Sequence, residues 1–150
     1  MLAIEYVLEG DIGRVRVPLP AAPQIAERLW RHTCCEAFVR RAGSAAYHEF
    51  NFSPSGEWAA YAFERYREGA LLGDAALDPH VSARATADTL ALDAAIPLQL
   101  LSPEHASATL AIALAAVVEE ADGRVSYWAL RHATGKPDFH HAEAFALELA

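Results

Sequence analysis

Basic side chains are in short supply. Twelve Lys and Arg stand against 20 Asp and Glu, a net charge of -8, whereas a nucleic-acid partner requires a basic stripe that neutralises phosphates. That partner class is excluded, and the same deficit argues against docking on an anionic membrane surface. Long apolar runs are also missing: Ala106 to Val118, the longest, is interrupted by Ser107 and Thr109 and falls short of the roughly 20 residues that cross a bilayer. No basic segment followed by an apolar stretch and a small-residue cleavage site opens the chain, because Glu5, Glu9 and Asp11 arrive almost at once. A cytoplasmic protein is expected. Cysteine occurs twice, at the adjacent positions Cys34 and Cys35, which gives neither a loop-closing disulfide nor a CxxC metal or redox motif; buried reduced thiols are expected.

Several catalytic signatures fail as well. His48-Glu49 opens like HExxH, but Phe52 occupies the fifth place and the motif needs two histidines one turn apart on a helix. No serine has the GxSxG spacing of a nucleophile elbow, and no glycine-rich loop precedes a helix to cradle phosphate. Glu36 and Glu49 are the one pair of carboxylates that invites a glycosidase comparison, but their strand positions alone set no separation. His140 and His141 follow Asp138; adjacent residues in extended chain point apart and seldom chelate together, so a solvated tail loop is expected and no metal.

What is present is alternation. The stretch YHEFNFSPSGEWAAY, Tyr47 to Tyr61, sends His48, Phe50 and Phe52 to one face and Tyr47, Glu49 and Asn51 to the other, with Ser53-Pro54-Ser55-Gly56 as a turn before Trp58 and Tyr61. Leu2 to Leu8 and Arg14 to Val17 read as a pair of strands joined through Gly10-Asp11-Ile12-Gly13. Val81 to Leu98 alternates in part, and Pro97 closes it. Ser107 to Val118 alternates large with small, and the Asp122-Gly123 turn behind it predicts a hairpin into Arg124 to Arg131. Helical spacing recurs only around Ile25, Leu29, Cys34 and Phe38, so at most a short helical turn is expected at Pro23 to Leu29, with Cys34 to Arg40 extended. A chain of 150 residues, 53% hydrophobic, is enough for one core. The expectation is a single domain, 1–150, built as an all-β, jelly-roll-like antiparallel sandwich.

The segment WRHTCCEAFVR at Trp30 to Arg40, then YHEFNFSPSGEWAAY, then DGRVSYWALRHATGKPDFHH at Asp122 to His141, resemble bacterial DOMON-like domains. These are relatives of the family 9 carbohydrate-binding modules and of the DOMON haem- and sugar-binding sandwiches. The resemblance implies that a terminal sugar is clamped between aromatic rings while charged and amide side chains bind its hydroxyls. Trp30 and Glu36 have the spacing of the first clamp tryptophan and its carboxylate, and Asn51 falls where an amide on the next strand is expected. The second clamp tryptophan is replaced by Lys136, Pro137, Asp138 and Phe139, with Phe139 as the substitute ring. Glu49 and His48 stand where relatives often carry a basic sugar-binding residue. Haem-carrying relatives hold iron with methionine and histidine, yet the only methionine here is Met1, which leaves paired imidazoles as the sole route to haem.

The expected site therefore comprises Trp30, Glu36, Glu49, Asn51, Trp58, Arg131, Lys136 and Phe139. Tyr61, Tyr66 and Trp128 read first as sheet-covering aromatics, as does Trp58 outside its candidate role. Arg31, His32, Arg131, His132 and Lys136 could alternatively form a basic patch for an anionic sugar or phosphate-bearing metabolite. The expected function is non-catalytic binding of a carbohydrate or sugar-containing metabolite, a cell-wall precursor rather than a plant polymer, with no cofactor. Against it stand an interaction sandwich that docks a partner or pairs with itself as a homodimer, and haem or metal carriage.

Overall fold

The computed structural model describes residues 1–150 as two antiparallel sheets. The smaller has three strands in the order β1 (Leu2–Glu9), β7 (Thr89–Ile96), β6 (Ser82–Ala85). The larger runs β8 (Leu110–Glu119), β2 (Cys34–Arg41), β3 (Tyr47–Phe52), β4 (Trp58–Arg65), β5 (Glu68–Leu71), while β9 (Val125–Ala129) and β10 (Leu147–Leu149) share the free edge of β8. β9 pairs with Ala115 to Glu119 and β10 with Leu110 to Ile112, one above the other. The only α-helix, α1 (Leu98–Leu101), has four residues, and short 3-10 turns make up the rest. No helix is long and apolar enough to cross a membrane. This is the expected all-β sandwich.

Alternation decides which side chains meet. Ala37, Val39, Phe50, Phe52, Trp58, Ala60, Leu110 and Ile112 of the larger sheet pack on Ile4, Leu92, Ala94 and Ile96 of the smaller one, forming the main core. Tyr6 crosses between the layers and donates its hydroxyl to the Glu36 carbonyl at 2.7 Å. On the opposite face of the same strands a second apolar group gathers around Phe38, Tyr47, Ala113 and Ala144, with Phe63, Phe139 and Phe145 against it. The larger sheet is thus covered on both sides, by the small sheet within and by the chain segment 137–145 without. That is why β2 and β3 are buried almost throughout, the polar Glu36, Glu49 and Asn51 included.

The turns follow local chemistry. At Ser53 to Glu57 the serine hydroxyls take two backbone N–H donations, Ser55 N to Ser53 Oγ at 3.1 Å and Glu57 N to Ser55 Oγ at 3.2 Å, and Gly56 adopts a φ of +95° that side-chain-bearing residues avoid. Asp122 and Gly123 turn β8 into β9 as expected. Gly69 on β5 is needed for another reason: a Cβ there would lie 2.1 Å from the Ala62 carbonyl oxygen and 2.7 Å from Phe63, next to the irregularity in β4–β5 pairing between Phe63 and Arg65.

Three local expectations are corrected. Arg14 to Val17 is no strand paired with β1, which spends its full length on β7; Ile12–Arg14 forms a 3-10 turn, and Val15 makes one bridge to Glu120. The prolines at 18 and 20, which lack N–H donors, fit that irregular path. Val81 to Leu98 splits into β6 and β7, because Thr86, Asp88 and Thr89 satisfy one another in a turn. The helical turn falls at Leu29–Arg31 rather than at Pro23 to Leu29, since Ile25 is bridged to Trp58, with Trp58 N donating to Gln24 O at 3.0 Å and Ala26 N to Trp58 O at 2.9 Å.

Candidate binding site

The outer face of the larger sheet carries a hollow of 460 Å³ that segment 137–145 walls on one side. Strands β2 and β3 supply its acidic floor, because Glu36 and Glu49 have the same facing parity: Glu36 lies directly opposite Asn51 in register, and Asn51 is two residues from Glu49. Glu49 also faces Tyr61 across β4. The hollow is further lined by Phe63, Val117, Tyr127, Pro137, Phe139 and His140, by Trp30 from the 3-10 turn packed on β2 and β3, and by Arg67 from the β4–β5 turn. Arg28, just ahead of Trp30, and Arg67 both hold positive φ, 62° and 56°. Arginine seldom does so, and here each strained turn delivers a residue to the rim.

The floor is polar and almost dry. Glu36 is 4% exposed and Glu49 6%. Burial, with Glu49 nearby as a smaller cause, holds the Glu36 carboxyl well above the usual range. Burial also pushes Glu49 up to about 7. The Asn51 amide and the Arg67 charge pull Glu49 back, although no hydrogen bond of ordinary geometry joins Asn51 to it. Asn51 is fully buried, and neither its Nδ2 nor its Oδ1 has a partner. An orphaned amide inside a protein costs about 1 to 3 kcal/mol, so its persistence on this face is notable.

His140 closes one wall through a defined relay. The Arg67 backbone N–H donates to the Tyr47 hydroxyl at 3.0 Å, which leaves that hydroxyl to donate to His140 Nδ1 at 2.8 Å. Nδ1 is then an acceptor, so the ring's proton sits on Nε2, which faces Glu49 Oε2 at 3.5 Å. Burial, helped by the Arg67 charge, lowers His140 to about 4 and keeps it neutral near pH 7. The ring is wedged edge-on against Phe38 and Phe63, with centroids at 5.1 and 5.2 Å. Arg67 donates to Asp138 Oδ1 at 2.9 Å, and Tyr66 donates to the other oxygen of the same carboxylate. Turn and tail are latched together by that pair.

The expected residues are placed unevenly. Trp30, Glu36, Glu49 and Phe139 line one hollow; Asn51, opposite Glu36 in register and two residues from Glu49, is buried beneath its lining. Trp30 is 48% exposed, its ring free on one side, with the Arg31 guanidinium 5.4 Å from its centroid. Phe139 lines the same hollow, in edge contact with Tyr127 at a centroid distance of 6.1 Å. Trp58 is elsewhere. Paired with Phe52 and 2% exposed, it faces the main core, and the strand parity that puts Tyr61 into the hollow turns Trp58 away from it. Arg131 and Lys136 are exposed on the tail and line no part of the hollow. The suggested basic patch does not assemble there either, because His32 is drawn to Glu119 at 2.7 Å.

Pro137 lies in the expected tail stretch, whereas His140, Tyr61, Phe63, Arg67, Val117 and Tyr127 complete the lining without having been assigned to the site. Tyr61 could have been found by extending the Tyr47, Glu49, Asn51 parity through the turn; His140, expected in a solvated tail, is instead largely buried. No group of three or more His, Cys, Asp or Glu side chains converges closely enough to hold a metal ion. Cys34 and Cys35 are free thiols, and burial pushes Cys35 up to about 12.

The sequence matches no known protein family and no curated protein. A solved structure from Bacteroides uniformis, described as a "putative carbohydrate-binding protein", aligns with TM-score 0.62 at 15% identity, over 95% of this chain and 69% of that one. That likeness establishes the sandwich architecture across nearly the whole chain.

Proposed function

We propose that the hollow on the outer face binds a carbohydrate or sugar-containing metabolite without transforming it, in the manner of DOMON-like and family 9 carbohydrate-binding sandwiches. The observation that carries this reading is the half-exposed Trp30 ring over the same hollow as the buried Glu36 and Glu49 carboxyls. A pyranose has an apolar C–H face that an indole covers, and vicinal hydroxyls that carboxyl groups orient. A hollow of 460 Å³ accommodates one or two sugar rings, within the ~300 to 1,000 Å³ of ordinary ligand pockets. The Bacteroides uniformis neighbour supports the same ligand class at a coarse level. Cell-wall precursors remain the preferred source of the sugar.

Titration calorimetry against mono- and disaccharides, muramyl sugars included, tests the reading: saturable heat that Trp30→Ala abolishes supports it, and silence across the panel overturns it. A second reading, a sandwich that pairs with itself, is favoured by the exposed Val125, Tyr127, Trp128 and Leu130 along β9 and its flank. Sedimentation of the intact chain separates the two, because self-association reads out as a concentration-dependent mass.

A further inference from the structure

The carboxyls in the floor have no counter-charge. The Glu36 carboxyl has no ion pair, and the basic group within reach of Glu49 is the Nε2 of His140 at 3.5 Å, on a ring kept neutral by burial and by the Arg67 charge. The one permanent cation on the lining, Arg67, is committed to Asp138 and to the Tyr66 hydroxyl at 3.2 Å. Asn51, wholly buried opposite Glu36 in register and two residues from Glu49, has an unpartnered carbonyl oxygen. Two buried acids thus share, with no uncommitted cation, a space walled by Trp30, Tyr61, Phe63, Tyr127 and Phe139. Buried acids ordinarily acquire a partner, and aromatic walls around an acidic floor attract cations through the ring faces.

Resting on the carbohydrate reading and narrowing it, we propose that the ligand carries a primary ammonium group, as a sugar with a free amine does, seated between Glu36 and Glu49. An ammonium has three N–H donors and a full charge, enough to serve the Glu36 and Glu49 carboxyls together. A hydroxyl in that place offers one donor and no charge, and an N-acetyl group replaces the cation with a neutral amide and a methyl. A uronic acid or sugar phosphate would bring like charge onto the floor.

Proton linkage gives a second readout. Both carboxyls are held above their ordinary range when the hollow is empty, and an ammonium between them favours their ionised forms. The groups facing them are Cys34 from β2, Tyr61 from β4, Arg67 from the turn, Tyr127 from β9 and His140 from the tail. Burial drives Cys34 and Tyr61 up and His140 down, away from neutrality, so protons released near pH 6.5 come from the two acids. Affinity then rises as pH climbs towards the value of about 7 at which Glu49 titrates, until the ligand's own amine begins to deprotonate.

The experiment is calorimetry with glucosamine and galactosamine, each beside its N-acetylated and its unsubstituted hexose, in two buffers of different ionisation enthalpy. The expected result is at least about tenfold tighter binding of one free amine than of its two counterparts, with net proton release, both reduced in the isosteric Glu36→Gln and Glu49→Gln variants. Equal or tighter binding of the unsubstituted or N-acetylated sugar overturns the ammonium and leaves the carbohydrate reading standing. Silence from all six sugars, when Trp30→Ala and the unmodified chain both melt cooperatively, removes both.

Discussion

The two faces of the larger sheet are made by alternate residues of the same strands, yet they obey different rules. Inward, Ala37, Val39, Phe50 and Phe52 meet only apolar neighbours, and every contact stabilises the fold. Outward, Glu36, Glu49 and Asn51 are buried just as deeply but incompletely satisfied. One face holds the protein together; the other costs stability, as sites poised for a ligand commonly do.

The sharpest way to break the comparison is Phe50→Ala, which removes a fully buried ring from the inward face. A loss of about 3 to 5 kcal/mol is expected in denaturant unfolding, with binding by the remaining folded molecules intact. On the outward face Glu49→Gln should do the reverse, with a strong pH dependence. Because the folded carboxyl titrates near 7 rather than at its ordinary value near 4.5, its contribution to stability is complete below pH 4.5 and is lost as pH rises through 7. Replacing it should therefore help at pH 8 by roughly 3 kcal/mol more than at pH 4.5, with sugar binding reduced; chemical unfolding at the two pH values decides. His140 works in the opposite sense. Lowered to about 4, it contributes stability above pH 6.5 that disappears as pH falls, so His140→Gln should flatten the acid limb of the stability profile.

Smaller effects sharpen the contrast. Tyr47→Phe deletes the hydroxyl that accepts from Arg67 and donates to His140, with an expected cost of about 1 kcal/mol and a His140 ring whose proton is no longer fixed on Nε2, visible by NMR of the imidazole nitrogens. Trp30→Ala should change the unfolding midpoint least, within about 0.5 kcal/mol, because half the ring already lies in solvent. Its effect should fall on ligand affinity alone.

These faces were partly legible beforehand. Period-two patterning in Tyr47 to Phe52 assigned Glu49 and Asn51 to one side and Phe50 and Phe52 to the other, and the Asp122-Gly123 turn located the β8–β9 hairpin. Trp58 and Tyr61 were harder, because their facing depends on the register that the Ser53 to Glu57 turn imposes, and a single residue more would exchange them. The tail was illegible for a different reason: segment 137–145 is irregular, and His140 is buried through contacts with Tyr47 and Glu49 some 90 positions away. No local periodicity encodes such a contact. The two wrong expectations near the N-terminus, a strand at Arg14 to Val17 and a helical turn at Pro23 to Leu29, likewise trace to long-range pairing, β1 with β7 and Ile25 with Trp58.

The shared edge of β8 has an effect on assembly. Since β9 occupies one stretch of that edge and β10 the other, the polypeptide between them must leave the sheet, cross in front of it and come back. A ribosome releases this crossing only after nine of the ten strands. The hollow's last wall is thus added to a nearly finished scaffold, as a lintel is set on standing posts.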